Sequence, residues 1–335
     1  MRNLGLDSGE FELVYDAKNP DYLIATELIY TDALAHSNFR RLYSPGRVAI
    51  YYADEAIVPD MNVFDYAMSY DKRLVLDDRI IRRPVLSVFG GFTNKRFDIG
   101  CGNVEDELRR KSGFCNFIYS NPNAHPRRDW MFHTLSDYKR VDSLGPHLNN
   151  CGNRTSRGNR NFAELAVEMK SPYKFSISCE NACYHGYISE KILTSFAAHS
   201  IPIYWGDPDC ESEFNPKAFI NANGLSKDEL IGRVKEIDEN DGKWMAMISE
   251  PPMLKSQMEQ FEHDDAQYRA FMRNLFLQDV QDAKRAPQGY WPDNYRRHFF
   301  KAPVERISTQ NKILAMLGRE TRLAEWVIRK LRPLE

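Results

Sequence analysis

Apolar residues along this chain follow two spacings that take turns. Short continuous runs suit buried strands, and between them apolar positions recur every three or four residues, as on one face of a helix. The clearest case spans residues 173–206. Residues 174–179 carry aromatic and β-branched side chains and close on Glu180-Asn181, which reads as a buried strand. Over 188–199 the apolar positions Ile192, Leu193, Phe196 and Ala197 have helical spacing with one buried face. Residues 201–205 read as a second strand, stopped by Gly206. Strand, helix and strand with short connections form a βαβ unit, because two parallel strands need such a crossover.

The alternation extends in both directions. Residues 20–29 and 47–52 read as strands, with a helix over 34–42 and a further strand over 63–69. Residues 85–89 read as a loop or short strand, and the chain turns polar over 98–113, which places a domain boundary near Lys111. Beyond it come a strand at 114–120, a helix at 127–138, a short strand at 141–144 and a polar loop at 146–161. A helix at 161–169 leads into the βαβ unit, followed by a strand at 219–221 and a helix at 225–237 with Ser226 as N-cap. From Asp241 onward the pattern is mostly helical. Alternating strands and helices imply α/β domains with parallel sheets. The expected division is a first domain over 1–111, a second over 112–290 and a helical C-terminal segment over 291–335. In that last segment Ile313, Leu314, Met316, Leu317, Leu323, Trp326, Val327, Ile328 and Leu331 interleave with Arg319, Arg322, Arg329, Lys330 and Arg332. Such a basic amphipathic segment either packs back on the protein or rests on an anionic membrane surface.

Composition narrows the classes. With 42% hydrophobic and 27% charged residues the 335-residue chain forms cores, and its length suits two domains. Lys+Arg 45 against Asp+Glu 47 gives a net charge of −2, without the basic footprint of a general nucleic-acid binder. No apolar run approaches the ~20 residues that span a bilayer, and the first residues lack the apolar core of a signal peptide. The expected location is therefore cytoplasmic, and the six cysteines are expected to be free thiols.

The candidate chemistry sits at the turn of the βαβ unit. In open parallel sheets ligands bind beyond the carboxyl ends of the strands, beside helix N-termini whose free N–H groups suit phosphate. Tyr187, Glu190 and Lys191 are spaced to share one face of a helical turn. Lys191 can balance phosphate charge, and Glu190 can accept from a ribose diol. On spacing alone the more common explanation is a solvated first-turn pair, with Tyr187 as packing.

The residues of this stretch resemble the signature of the α-1,3/4-fucosyltransferases, of the bacterial, inverting, GDP-fucose-dependent type. The matching residues are Tyr173-Lys174-Phe175, Glu180-Asn181, Tyr187-Ile188-Ser189-Glu190-Lys191 and Ile201-Pro202-Ile203-Tyr204-Trp205-Gly206, and later 214–220. The resemblance implies a glycosyltransferase-B architecture of two Rossmann-like domains facing a cleft, the first for the acceptor and the second for the nucleotide sugar. Little sequence precedes the first strand-like segment, so a first strand and helix usual in the family are expected to be missing or shortened. The resemblance makes Glu55 the base, with Asp54 as its rival, and Tyr52 a nearby donor-site residue. Residues 119–128 resemble an element ending in a diphosphate-binding arginine, which falls on Arg127, with Arg128 as the neighbour. Glu180, Asn181 and Tyr187 would shape the donor pocket. His125 and His185 lie near it in sequence. Asp207-Pro208-Asp209 fits a DxD metal pattern, but its place after a strand favours a proline turn. Lys191 and Arg127 can do the neutralising that a metal would do. The expected partners are GDP-fucose and an N-acetylglucosamine-containing oligosaccharide, with no cofactor and no obligatory metal.

Overall fold

The computed structural model describes residues 11–15, 19–74, 78–89, 103–152, 162–301 and 326–333. The chain forms two compact units, Met1–Val88 with His263–Glu335, and Phe89–Glu262. In chain order the first unit begins with β1 (Phe11–Tyr15), β2 (Tyr22–Ala25), α1 (Leu28–Thr31), α2 (Ala33–Leu42), β3 (Val48–Tyr52), β4 (Tyr66–Ser69), β5 (Ile80–Arg82) and α3 (Val85–Phe89). The strand expected over 20–29 is shorter because Leu28 opens α1. Asp32 then starts α2 by accepting from the backbone N–H groups of Leu34 at 2.9 Å and Ala35 at 2.8 Å. Residues 85–89, expected as loop or strand, are helical.

The second unit holds α4 (Val104–Arg110), β6 (Gly113–Phe117), α5 (Arg127–Tyr138), β7 (Val141–Ser143), α6 (Phe162–Lys170), β8 (Tyr173–Cys179), α7 (Glu190–Ala197), β9 (Ile201–Trp205), β10 (Ile220–Asn221), α8 (Lys227–Asp238) and α9 (Asp241–Ile248). Its sheet runs β10-β9-β8-β6-β7, with every pair parallel. The βαβ unit of the sequence analysis is β8-α7-β9, with Phe175 paired to Ile201 and Cys179 to Trp205. Successive strand residues point to opposite faces, and β8 uses this. Phe175, Ile177 and Cys179 enter the main core with Met131, Leu135, Leu230, Val234 and Trp244. Ser176, Ser178 and Glu180 form the opposite set, and they too are buried. The expected boundary at Lys111 shifts upstream because α4 belongs to the second unit: Val104 and Leu108 pack against this core, and the Lys111 ammonium donates to the carbonyls of Ser171 (2.7 Å) and Ala198 (3.2 Å).

The chain returns to the first unit within α10 (Lys255–Leu277), rather than at the expected 290. Tyr268, Met272, Leu275 and Phe276 join Tyr22, Ile24, Val48, Ile50, Tyr66 and Met68 in one core. Burying each such side chain contributes about 1.5–3 kcal/mol, enough to fix the end of α10 there. After α11 (Tyr290–Phe299), residues Ile313, Leu314, Met316, Leu317 and Leu323 lie outside the described residues. Trp326–Pro333 is β11, so the helical C-terminal segment expected from spacing is overturned at this point. β11 lies between β1 and β2, antiparallel to both, in a sheet ordered β1-β11-β2-β3-β4-β5. An aromatic and β-branched run, Trp326-Val327-Ile328, fits a strand, and sheet pairing supplies backbone partners that helical spacing cannot reveal. β2, β3, β4 and β5 are parallel.

Among the described residues no helix is long and apolar enough to cross a membrane. A truncation after Arg319 removes β11, which strips β1 of its ladder partner and β2 of one of its two. It is expected to lower the melting temperature of the first unit by several degrees in calorimetry. An unchanged melting temperature would show that β11 adds nothing to the sheet, and would leave membrane contact as the segment's role.

Candidate functional site

The polar residues of the βαβ turn form a buried clamp. Gly206 ends β9 so close to Glu180 that a Cβ there would lie 2.5 Å from Glu180 Cγ, which explains the glycine. Glu180 is 0% exposed. Its carboxylate accepts from the backbone N–H of Ser189 at 2.9 Å, the Ser189 hydroxyl at 2.7 Å and the Lys191 ammonium at 3.1 Å. Lys191 also donates to Ser189 Oγ at 2.9 Å. Burial alone would lower the Lys191 pKa, but the carboxylates of Glu180 and Glu190 outweigh it and hold the ammonium above its ordinary value. Glu190 opens α7, with its carboxylate 4.0 Å from the Lys191 ammonium. Burial would raise its pKa, and the Lys191 charge with other nearby donors carries it below the usual carboxylate value.

Tyr187 departs from the expected arrangement. It precedes α7, so it does not share a helical face with Glu190 and Lys191, and it is 2% exposed. Gly186 at φ 78° turns the chain in the left-handed region, and Glu180 holds Ser189 extended at the N-cap, so the helix starts only at Glu190. Ser189 enters the sequence analysis only as one of the residues of the matching stretch. Its role as the bridge between Glu180 and Lys191 needs the tertiary contact.

Arg127 opens α5 from the loop after β6. That loop meets the β8 loop through the His125 N–H, which donates to the Asn181 carbonyl at 2.9 Å. The Arg127 guanidinium stacks on Trp130, 3.6 Å from the ring centroid, and donates to the carbonyls of Ala222 and Leu225. Its Nε is buried and has no partner among the described residues. The neighbour Arg128 is buried over Tyr119 and donates to the Asn121 carbonyl and the Asn181 amide oxygen. Arg128 is thus a structural cation, and the Asn181 side chain serves it. The structure therefore brings Arg127, Glu180, Asn181, Tyr187, Glu190 and Lys191 to the loops at the carboxyl ends of β6, β8 and β9, the end where parallel sheets bind ligands.

Asp207-Pro208-Asp209 does form a turn after β9. One ligand atom each of His185, Asp207 and Asp209 lies within 4.8 Å of the others, a donor set that suits a divalent cation. His185 Nδ1 stands 2.6 Å from Asp209 Oδ2, and Asp207 Oδ1 accepts from the Asp209 N–H at 2.9 Å.

The remaining candidates lie in the first unit, at the end of β3. Tyr52 is buried, Asp54 exposed and Glu55 half-buried. Asp54 accepts from the Arg83 guanidinium at 3.2 Å. Arg83, 2% exposed, stacks over Tyr52 and Tyr70 at 4.5 and 4.6 Å. The Tyr70 hydroxyl donates to the Asp54 carbonyl at 3.1 Å. Asp54 is thereby tied to a cation. Sequence reasoning missed Arg83, which carries no local signal, and Glu27. Burial, and then the charges of Asp54 and Glu55, push the Glu27 carboxyl up to about 7. Asp65 of the Phe64-Asp65-Tyr66 run is structural: it accepts from the backbone N–H groups of Ala49 (2.8 Å) and Ala286 (2.7 Å).

The C-terminal model of glycosyltransferase family 10 (fucosyltransferase) matches residues 108–265. An α-(1,3)-fucosyltransferase of Helicobacter pylori is 30% identical over 235 residues, covering 61% of this chain and 47% of that protein. A fucosyltransferase of Acanthamoeba polyphaga mimivirus, itself assigned as putative, is 29% identical over 239 residues, covering 69% of this chain and 38% of that protein. The chain thus spans about half the length of these relatives or less. The crystal structure of an α1,3-fucosyltransferase with GDP superposes with a TM-score of 0.56 at 23% identity, covering 82% of this chain and 96% of that one. The two-sheet α/β fold is that of this glycosyltransferase, and residues 108–265 carry the match to the fucosyltransferase family.

Proposed function

We propose that the chain is an inverting α-1,3(/4)-fucosyltransferase that moves L-fucose from GDP-β-L-fucose to an N-acetylglucosamine-containing glycan of the LacNAc or Lewis type. The observation that carries this reading is the buried Glu180–Ser189–Lys191 clamp, which holds a charged ammonium beside Glu190 at the carboxyl edge of the second sheet. Glu55 of the first unit takes the proton of the acceptor hydroxyl. The freed oxygen attacks the anomeric carbon on the face opposite GDP. The bond from that carbon to the β-phosphate oxygen breaks, and the electron pair leaves on the diphosphate through an oxocarbenium-like transition state. Lys191 and Arg127 stabilise the departing charge, Glu190 holds the ribose, and Tyr52, Asn181 and Tyr187 shape the surroundings.

Two cations suffice for the leaving group, so transfer proceeds without an obligatory metal. Incubation with GDP-fucose and type 1 or type 2 disaccharides is expected to give fucosylated product. Metal-stripped enzyme in EDTA should do so at an unreduced rate. Loss of activity in EDTA would overturn metal independence. A thermal shift with UDP or ADP but none with GDP would overturn the choice of donor.

A further inference from the structure

One buried cation lies beneath the donor residues. Lys170, the last residue of α6, is 5% exposed. Its ammonium points under α7 and donates to the Lys191 carbonyl at 3.0 Å, Thr194 Oγ1 at 2.8 Å and Ser195 Oγ at 2.9 Å. These three bonds use all three of its donors. The Lys191 carbonyl also accepts from Ser178 Oγ at 3.2 Å and Ser195 Oγ at 3.0 Å, and these two hydroxyls stand 2.8 Å apart. A polar seam from α6, β8 and α7 therefore fixes the backbone from which Lys191 projects.

The charges around Lys170 are those of Glu190 and Lys191 on α7 and Glu180 after β8. Among the described residues no carboxylate lies within salt-bridge reach of Lys170, and Glu180 is engaged by Lys191. Two carboxylates, Glu180 and Glu190, thus face two ammonium groups, Lys191 and Lys170. Without the Lys170 charge these two carboxylates face the Lys191 ammonium alone.

We propose that Lys170 is a positioning and charge-balancing residue for a nucleoside-diphosphate sugar, holding the Lys191 backbone and offsetting the second carboxylate from beneath α7. The proposal rests on the donor-site reading above. Burial is the largest influence on Lys170 and lowers its pKa to about 7, with Glu190 and Glu180 opposing and Lys191 reinforcing the change. Anion binding favours the protonated form, so donor affinity weakens as pH rises through that value.

The test is calorimetric titration of GDP-fucose into the full chain between about pH 6 and pH 8.5, a range that crosses the Lys170 transition. GDP-fucose is preferred to GDP, whose terminal phosphate itself titrates near pH 6. Wild-type affinity is expected to fall about tenfold over this range, the effect of one partly screened charge several ångströms away. Lys170→Gln keeps an amide donor and loses the charge. It should bind at pH 6 about tenfold more weakly than wild type and show a flat profile. A flat wild-type profile overturns the proposal without recourse to any variant. So does a Lys170→Gln profile that keeps the wild-type slope. Wild-type protein that binds no GDP-fucose at any pH overturns the donor reading, and the proposal with it.

Discussion

Glu55→Gln is expected to reduce kcat for fucosyl transfer by about 10²–10⁴-fold, the range by which a positioned general base accelerates proton transfer. GDP binding should change little, because Glu55 lies in the first unit and the residues proposed for the diphosphate lie in the second. The substitution preserves shape and hydrogen-bonding capacity and removes only basicity. Asp54→Asn supplies the comparison. Asp54 is bound by Arg83 at 3.2 Å, so its loss should act on local stability rather than on the pH–rate profile. Single-turnover kinetics with saturating GDP-fucose would check both. A Glu55→Gln enzyme with near-wild-type kcat would remove Glu55 from the mechanism.

The second large effect is expected at Lys191, and it has two parts. Lys191→Ala deletes the proposed charge-assisted contact with the diphosphate, worth about 1.5–3 kcal/mol, or roughly 10–150-fold in GDP affinity. It also leaves the Glu180 carboxylate buried without its cation. Breaking a buried pair costs about 3 kcal/mol at the low end of the usual range, and the low end applies because Ser189 still supplies two donors. Adding Glu180→Gln to Lys191→Ala should restore most of the stability and none of the affinity. Denaturant unfolding and GDP calorimetry on the two variants would separate the effects. Wild-type GDP affinity in Lys191→Ala would refute the cation assignment.

The structure redistributes roles among residues that the sequence placed together. Glu180 and Asn181, expected at the donor pocket, face inward: one holds Lys191 and Ser189, the other Arg128. Tyr187 is interior. The buried residues hold Lys191 and Arg128 in place around the proposed donor site.

Local pattern was enough for β8-α7-β9, because strand and helix periodicities are properties of neighbouring residues and the crossover rule joins them. It was enough, too, for the helix that Arg127 opens, α5, whereas Arg127 as a candidate came from the family resemblance. Three things depended on the tertiary structure. The C-terminal residues 326–333 form a strand because β1 and β2 offer unpaired backbone from more than 300 positions away in sequence. The boundary between units moved because α4 and the end of α10 go to whichever core can bury them. Arg83 and Lys170 stayed hidden because the meaning of a buried charge lies in its partners, and those partners are set by packing and not by spacing along the chain.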